Sequence, residues 1–237
     1  MNDFLIVLSI AALAAFLTYL GAPVAERFAV PSHIIGGALQ FAAGVITALV
    51  AFSLMSPALR SGATPWMMGA FFLGGATFII FEWISMRYLA SGSTSPGFYI
   101  GILVDLLVDG VVIGVGATLT LTTGLLLALG MAISTAPLAF VATATAKRQG
   151  IAERQRQRLA YLFIVAIVGG ALLGYLVLRD QPLAVRAALV AFAGGFLTTT
   201  VTQSMIPEAN REGEPGFAGI LYIGGLSLYG LLALMLR

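Results

Sequence analysis

The chain has 237 residues, 59% of them hydrophobic and only 9% charged, with a mean hydropathy of +1.01 and a net charge of +2 at pH 7. A composition this apolar marks an integral membrane protein, and a charge this small, with no Lys/Arg block interleaved with aromatics, excludes nucleic acid as a partner. Zero cysteines exclude disulfides and thiolate metal sites, and a single histidine excludes a His-rich metal cluster, so any bound group meets oxygen ligands.

Apolar runs of spanning length lie at roughly 4–24, 33–56, 65–88, 97–121, 122–146, 158–178, 183–206 and 217–236, which predicts eight transmembrane helices in one membrane domain over residues 1–237. The first run lacks a basic segment before it and a small-residue cleavage site after it, so it is expected to be a retained span and not a signal peptide. Pro23 and Pro31 separate it from the second run, at whose start His33 is expected to sit at the interface. The third run carries Glu82 near its end, close enough to Arg87 to snorkel toward the headgroups.

The fourth run holds the main functional signal. Asp105 and Asp109 stand four residues apart near the middle of an otherwise uncharged stretch, so a helix places both carboxylates on one face near the bilayer midplane. Each ionised acid at that depth costs at least about 2.5–3.5 kcal/mol, so the pair needs a cation, a proton or a polar partner. The fifth run follows after only Thr122-Thr123-Gly124 as punctuation, which leaves this turn the least defined boundary. It contains Ser134 and Thr135 just before Pro137, a proline that frees a backbone oxygen. Ahead of the sixth run, Lys147 to Arg158 is strongly basic and reads as a topology determinant beside anionic lipid. Polar residues Thr198, Thr199, Thr200, Thr202, Gln203 and Ser204 crowd the seventh run, and Thr202, Gln203 and Ser204 are candidate pathway-lining residues.

With the N-terminus outside, the inner loops hold eight Lys/Arg, five of them between Lys147 and Arg158, against four outside. The bias places both termini outside the cytoplasm of a cell (inner or plasma) membrane. Phe41 to Ser53 also matches Phe192 to Ser204 at a displacement of 151 residues, and Gly69, Gly74 and Gly75 recur as Gly219, Gly224 and Gly225 at a displacement of 150. Because the copies lie an odd number of spans apart, the pattern predicts inverted repeats, an arrangement frequent in secondary transporters.

These residues resemble the ZIP (Zrt-, Irt-like) divalent-metal transporters. Gly101-Ile-Leu-Val-Asp105-Leu-Leu-Val-Asp109-Gly110 is similar to that family's fourth helix, with its His-Asn-x-Pro-Glu-Gly motif. Leu39-Gln-Phe-Ala-Ala-Gly-Val resembles its second helix, Gly124 to Pro137 its fifth, Gly170-Ala-Leu-Leu-Gly its sixth and Met205-Ile-Pro-Glu208-Ala the end of its seventh. The resemblance implies an all-α 3+2+3 fold, with helices 1–3 and 6–8 as inverted repeats around helices 4–5, and transport of a divalent metal. The ligand positions depart from it: Asp105 stands where the family has His, Asp109 where it has Glu, and in the fifth helix only Pro137 survives.

The expected metal site is therefore Asp105 and Asp109 completed by Ser134, Thr135 or backbone oxygens, a hard donor set suited to Mg²⁺, Mn²⁺ or Ca²⁺. The cation is substrate, and no organic cofactor is expected. The alternatives are a proton-linked transporter of a non-metal solute and a non-transporting, regulatory or structural ZIP-like protein. The aspartates share one helix and no Ser-His or nucleotide motif is present, so the chain is not read as an enzyme. Its expected partners are the bilayer and a small ion or solute, with pairing into a homodimer left open.

Overall fold

A computed structural model describes residues 2–28, 31–56, 59, 64–89, 96–213 and 216–236. Among these, eight helices are long and apolar enough to cross a membrane. Helix 1 is Asn2–Tyr19 continued by Gly21–Arg27, and helix 2 is Ser32–Leu49 continued by a π turn, Val50–Met55. Helices 3 to 6 are Thr64–Leu89, Pro96–Leu119, Leu121–Arg148 and Glu153–Leu178. Helix 7 is Leu183–Thr200, a second π turn Val201–Met205 and Ile206–Arg211; helix 8 is Ala218–Met235.

Boundaries expected from the sequence are corrected at four places. Pro23, expected to help end the first span near residue 24, instead lies in the first turn of Gly21–Arg27, where a missing N–H costs little, and the span runs on to Arg27. The turn between helices 4 and 5 narrows to Thr120, whose extended backbone (φ −152°, ψ 150°) breaks the helix while its side chain accepts from the Thr123 N–H at 3.0 Å. This is an N-cap, and it needs one residue where hydropathy shows no gap. Helix 6 starts at Glu153, ahead of the expected 158, because its charged first turns are helical but not apolar. Helix 7 runs past 206 to Arg211, since Pro207 falls in the first turn after the π segment, where a missing N–H costs nothing.

Helix packing follows the glycines. In a bilayer no hydrophobic force joins helices, so close backbone approach through small residues does that work. Gly110 and Gly114 of helix 4 lie against the carbonyls of Ile167 and Ala171, and Gly170 and Gly174 of helix 6 lie against those of Leu107 and Val111. Two small-xxx-small stripes thus interlock, and a Cβ at any of the four meets backbone. Helix 1 completes this group: Gly21 abuts Ala136 of helix 5, and stacked Tyr19 and Tyr161 join helix 1 to helix 6.

A second group joins helix 2 to helix 8 and helix 3 to helix 7. Gly44 lies against the Tyr222 carbonyl and Gly225 against that of Phe41, while Gly195 lies against Phe71 and Gly74 against Phe192. Adding 151 to 44 and 41 gives 195 and 192, and subtracting 151 from 222 and 225 gives 71 and 74, so the contacts of one seam recur in the other. The π turns obey the same spacing, Val50 mapping onto Val201. Helices 2 and 5 are the most enclosed spans, and large apolar residues such as Trp66, Phe72 and Ile220 on helices 3 and 8 face outward.

Candidate functional site

The direction in which Asp105 and Asp109 point follows from their neighbours on helix 4. Gly110, beside Asp109, seals against helix 6. Gly116 lies seven residues beyond Asp109 and so on the face of the acids, and there it meets the side chains of Leu127 and Thr123 on helix 5. The acids therefore turn toward helix 5. Asp109 is 2% exposed and Asp105 half-buried. One carboxyl oxygen of each is shut off from solvent with no hydrogen-bond partner.

Helix 5 runs antiparallel to helix 4, because Ala117 touches Gly124, Gly116 touches Leu127 and the Tyr99 hydroxyl reaches Gln149. Interpolating between these fixed points sets Asp109 level with the Ser134–Pro137 turn. Ser134 lies seven residues beyond Leu127, on the face turned to helix 4, and is 1% exposed. Its hydroxyl donates to the Met131 carbonyl at 2.9 Å. With that proton committed, the Ser134 oxygen offers the acids only lone pairs.

Thr135 is brought to the same depth but turned aside. It donates to the Met131 carbonyl at 2.7 Å, so in its 2.6 Å contact with Thr18 of helix 1 the Thr18 hydroxyl is the donor. Thr135 ties helix 5 to helix 1, while the Ser134 hydroxyl is bound within helix 5 itself. Pro137 leaves the Ile133 carbonyl without its helical partner. The arrangement is thus rich in acceptors: two carboxyl groups, a committed hydroxyl and a freed carbonyl. Among the described residues, no three or more His, Cys, Asp or Glu side chains converge.

The candidates on helix 7 sit apart from this centre. The Arg186 guanidinium donates to the Thr118 carbonyl at 2.5 Å, capping helix 4 and fixing the relative depth of the two helices. Thirteen residues back from Thr118 is Asp105, and thirteen on from Arg186 is Thr199, so Thr202, Gln203 and Ser204 stand about a turn beyond the acids. Thr202 and Gln203 are exposed and Ser204 half-buried, and Thr202 donates to its own Thr198 carbonyl at 3.1 Å. Among the described residues no hydrogen bond joins them to the acids.

His33 is exposed at the start of helix 2, and Glu82 is half-buried on helix 3; the Arg87 side chain lies outside the described residues. Sequence reasoning passed over Thr18, Ser53 and Tyr229. The Ser53 hydroxyl meets the Tyr229 hydroxyl at 2.7 Å in the first π turn, and Tyr229 is fully buried. A polar residue in an otherwise mostly apolar span was the available signal for each. A surface groove lined by Leu5, Ile6, Ser9, Ile10 and Leu13 of helix 1 is apolar and includes none of the candidate site residues. Compared with models of known families and with curated proteins, the chain matches none.

Proposed function

We propose that the protein is a ZIP-like secondary transporter that carries a divalent cation past Asp105 and Asp109 by alternating access. The observation that carries this reading is the pair of sealed carboxyl oxygens with no donor, set level with a serine whose proton is already committed. A site built of acceptors is completed by a cation. Two carboxylates balance one divalent charge, and oxygen donors favour Mg²⁺, Mn²⁺ or Ca²⁺ over Zn²⁺. Support for inverted repeats comes from the two glycine seams and two π turns related by 151 residues, and π turns in membrane helices concentrate at functional positions. The loop charges favour both termini outside the cytoplasm.

The test is ion-resolved flux in proteoliposomes across Mg²⁺, Mn²⁺, Ca²⁺, Fe²⁺ and Zn²⁺, with the native protein and Asp105→Asn side by side. Flux of a hard divalent ion that Asp105→Asn lowers by about tenfold or more is the expected result. Zn²⁺ transport that survives Asp105→Asn combined with Asp109→Asn sinks the reading. The lack of a third acidic or imidazole ligand among the described residues favours one other reading, in which the pair shares a proton and drives a non-metal solute. Internal acidification without metal flux in the same vesicles selects it.

A further inference from the structure

Helices 4, 5 and 6 close at one end over a pocket that the reading above does not use. Arg156, one turn into helix 6, meets Glu26 of helix 1 through both forks, Nε to Oε1 at 2.5 Å and Nη2 to Oε2 at 2.7 Å. Its remaining nitrogen donates to the Ile151 carbonyl. Lys147 of helix 5 donates to the Glu26 carbonyl at 2.7 Å and so covers the last carbonyls of helix 1. The two charged side chains are 11% and 25% exposed, well enough enclosed for the fork to hold one geometry.

Beneath this pair Tyr99, Ala142, Thr143, Leu159 and Phe163, with Arg156, line a narrow pocket too small to hold a water. Tyr99 closes its helix 4 side, donating to the Gln149 Oε1 at 3.1 Å. Asp105 is six residues further along helix 4, a rise of about 9 Å. Thr143, 5% exposed, lies two turns past Thr135 on helix 5. The pocket therefore lies between the acids and the basic end of the bundle.

We propose that this pocket is the mouth through which the Asp105/Asp109 site opens toward the Lys147–Arg158 side, and that the forked Glu26–Arg156 pair is the latch holding it shut; the inference rests on the reading of the two acids as the site. The chemistry suits the role. While paired, the guanidinium is neutralised and anchored over the rim, and helix 1 cannot separate from helix 6. When the pair parts, the rim is freed and the Glu26 carboxylate becomes an oxygen ligand for a departing cation.

The chain has no cysteine, so Thr143→Cys introduces a unique thiol without any background to remove. Its reaction with a membrane-impermeant maleimide, added from each side of sealed vesicles in turn, reports whether the pocket is open. In the native background labelling should be slow from both sides. Glu26→Gln should make it roughly tenfold faster from the Arg156 side only, the order of change expected when a partly buried forked pair loses one partner. The exchanged pair, Glu26→Arg with Arg156→Glu, should restore slow labelling. Arg156→Lys, which keeps the charge but not the fork, should fall between.

Unchanged labelling in Glu26→Gln with a lowered melting temperature assigns the pair to stability alone and overturns the latch. Faster labelling from the opposite side overturns the mouth. Labelling requires no transport, so faster labelling in a protein that moves no metal upholds the mouth and rejects only the cation reading.

Discussion

At the scale of single residues, two carboxyl groups carry the argument, and their surroundings separate function from stability. Removing one charge from an enclosed like-charged pair relieves desolvation, while the site loses a ligand. Asp105→Asn and Asp109→Asn should each lower flux by about tenfold or more while the unfolding midpoint holds or rises, as measured by vesicle flux and thermal melting of the same preparations. If both variants unfold, the acids are structural partners of other polar groups; if neither changes flux or stability, the pair is a remnant. The two helix 5 hydroxyls separate in the same way. Ser134→Ala should weaken transport with little effect on stability, and Thr135→Val should cost about 1 kcal/mol of stability through the lost Thr18 bridge with flux retained, since Thr135 bridges to helix 1 and Ser134 is bound only within helix 5.

At the scale of elements, interlocking glycine stripes set where helix 4 lies and hence where its acids point. Gly169 and Gly170 are adjacent in helix 6, yet a Cβ on Gly170 runs into the Leu107 carbonyl and one on Gly169 meets nothing within 4 Å. Gly170→Ala should therefore destabilise by about 1–3 kcal/mol, and Gly169→Ala should be neutral or slightly stabilising, as read by chemical unfolding in detergent. Equal losses at both positions would mean that the stripe is not the contact that joins helices 4 and 6. The spacing in the sequence displayed the two stripes but not their partner, because a small-xxx-small pattern names a face without naming the helix that fills it.

At the scale of the whole molecule, the recurrence at 151 residues makes its own demand. Gly44→Ala and Gly195→Ala occupy related positions in the two seams and meet the Tyr222 and Phe71 carbonyls in the same manner, so their stability losses should agree within about 0.5 kcal/mol. The charge bias adds a topological outcome: a lone cysteine at Gln155 should react with impermeant reagent only from the cytoplasmic side, and one at Gln181 only from the opposite side. Both reacting from one side would refute the arrangement of the spans.

Much of this was legible in the amino acids alone, because the bilayer leaves few options: apolar runs of helical length must span, and two acids in such a run must share a face. Asp105 and Asp109 could be named from spacing, and so could the 151-residue displacement of helix 2 onto helix 7; for helices 3 and 8 the glycine pattern suggested 150, whereas the contacts pair Gly74 with Gly225, at 151. Which side of helix 4 meets helix 5, that Thr135 turns to Thr18, that Thr202 and Gln203 lie outward, and that Glu26 finds Arg156 across 130 residues were decided only by tertiary packing. The reason is physical: period and hydropathy are properties of one helix, whereas a hydroxyl's choice of partner and a carboxylate's enclosure depend on the rotation and depth of its neighbours. Those are set by backbone contacts at glycines far apart in the chain.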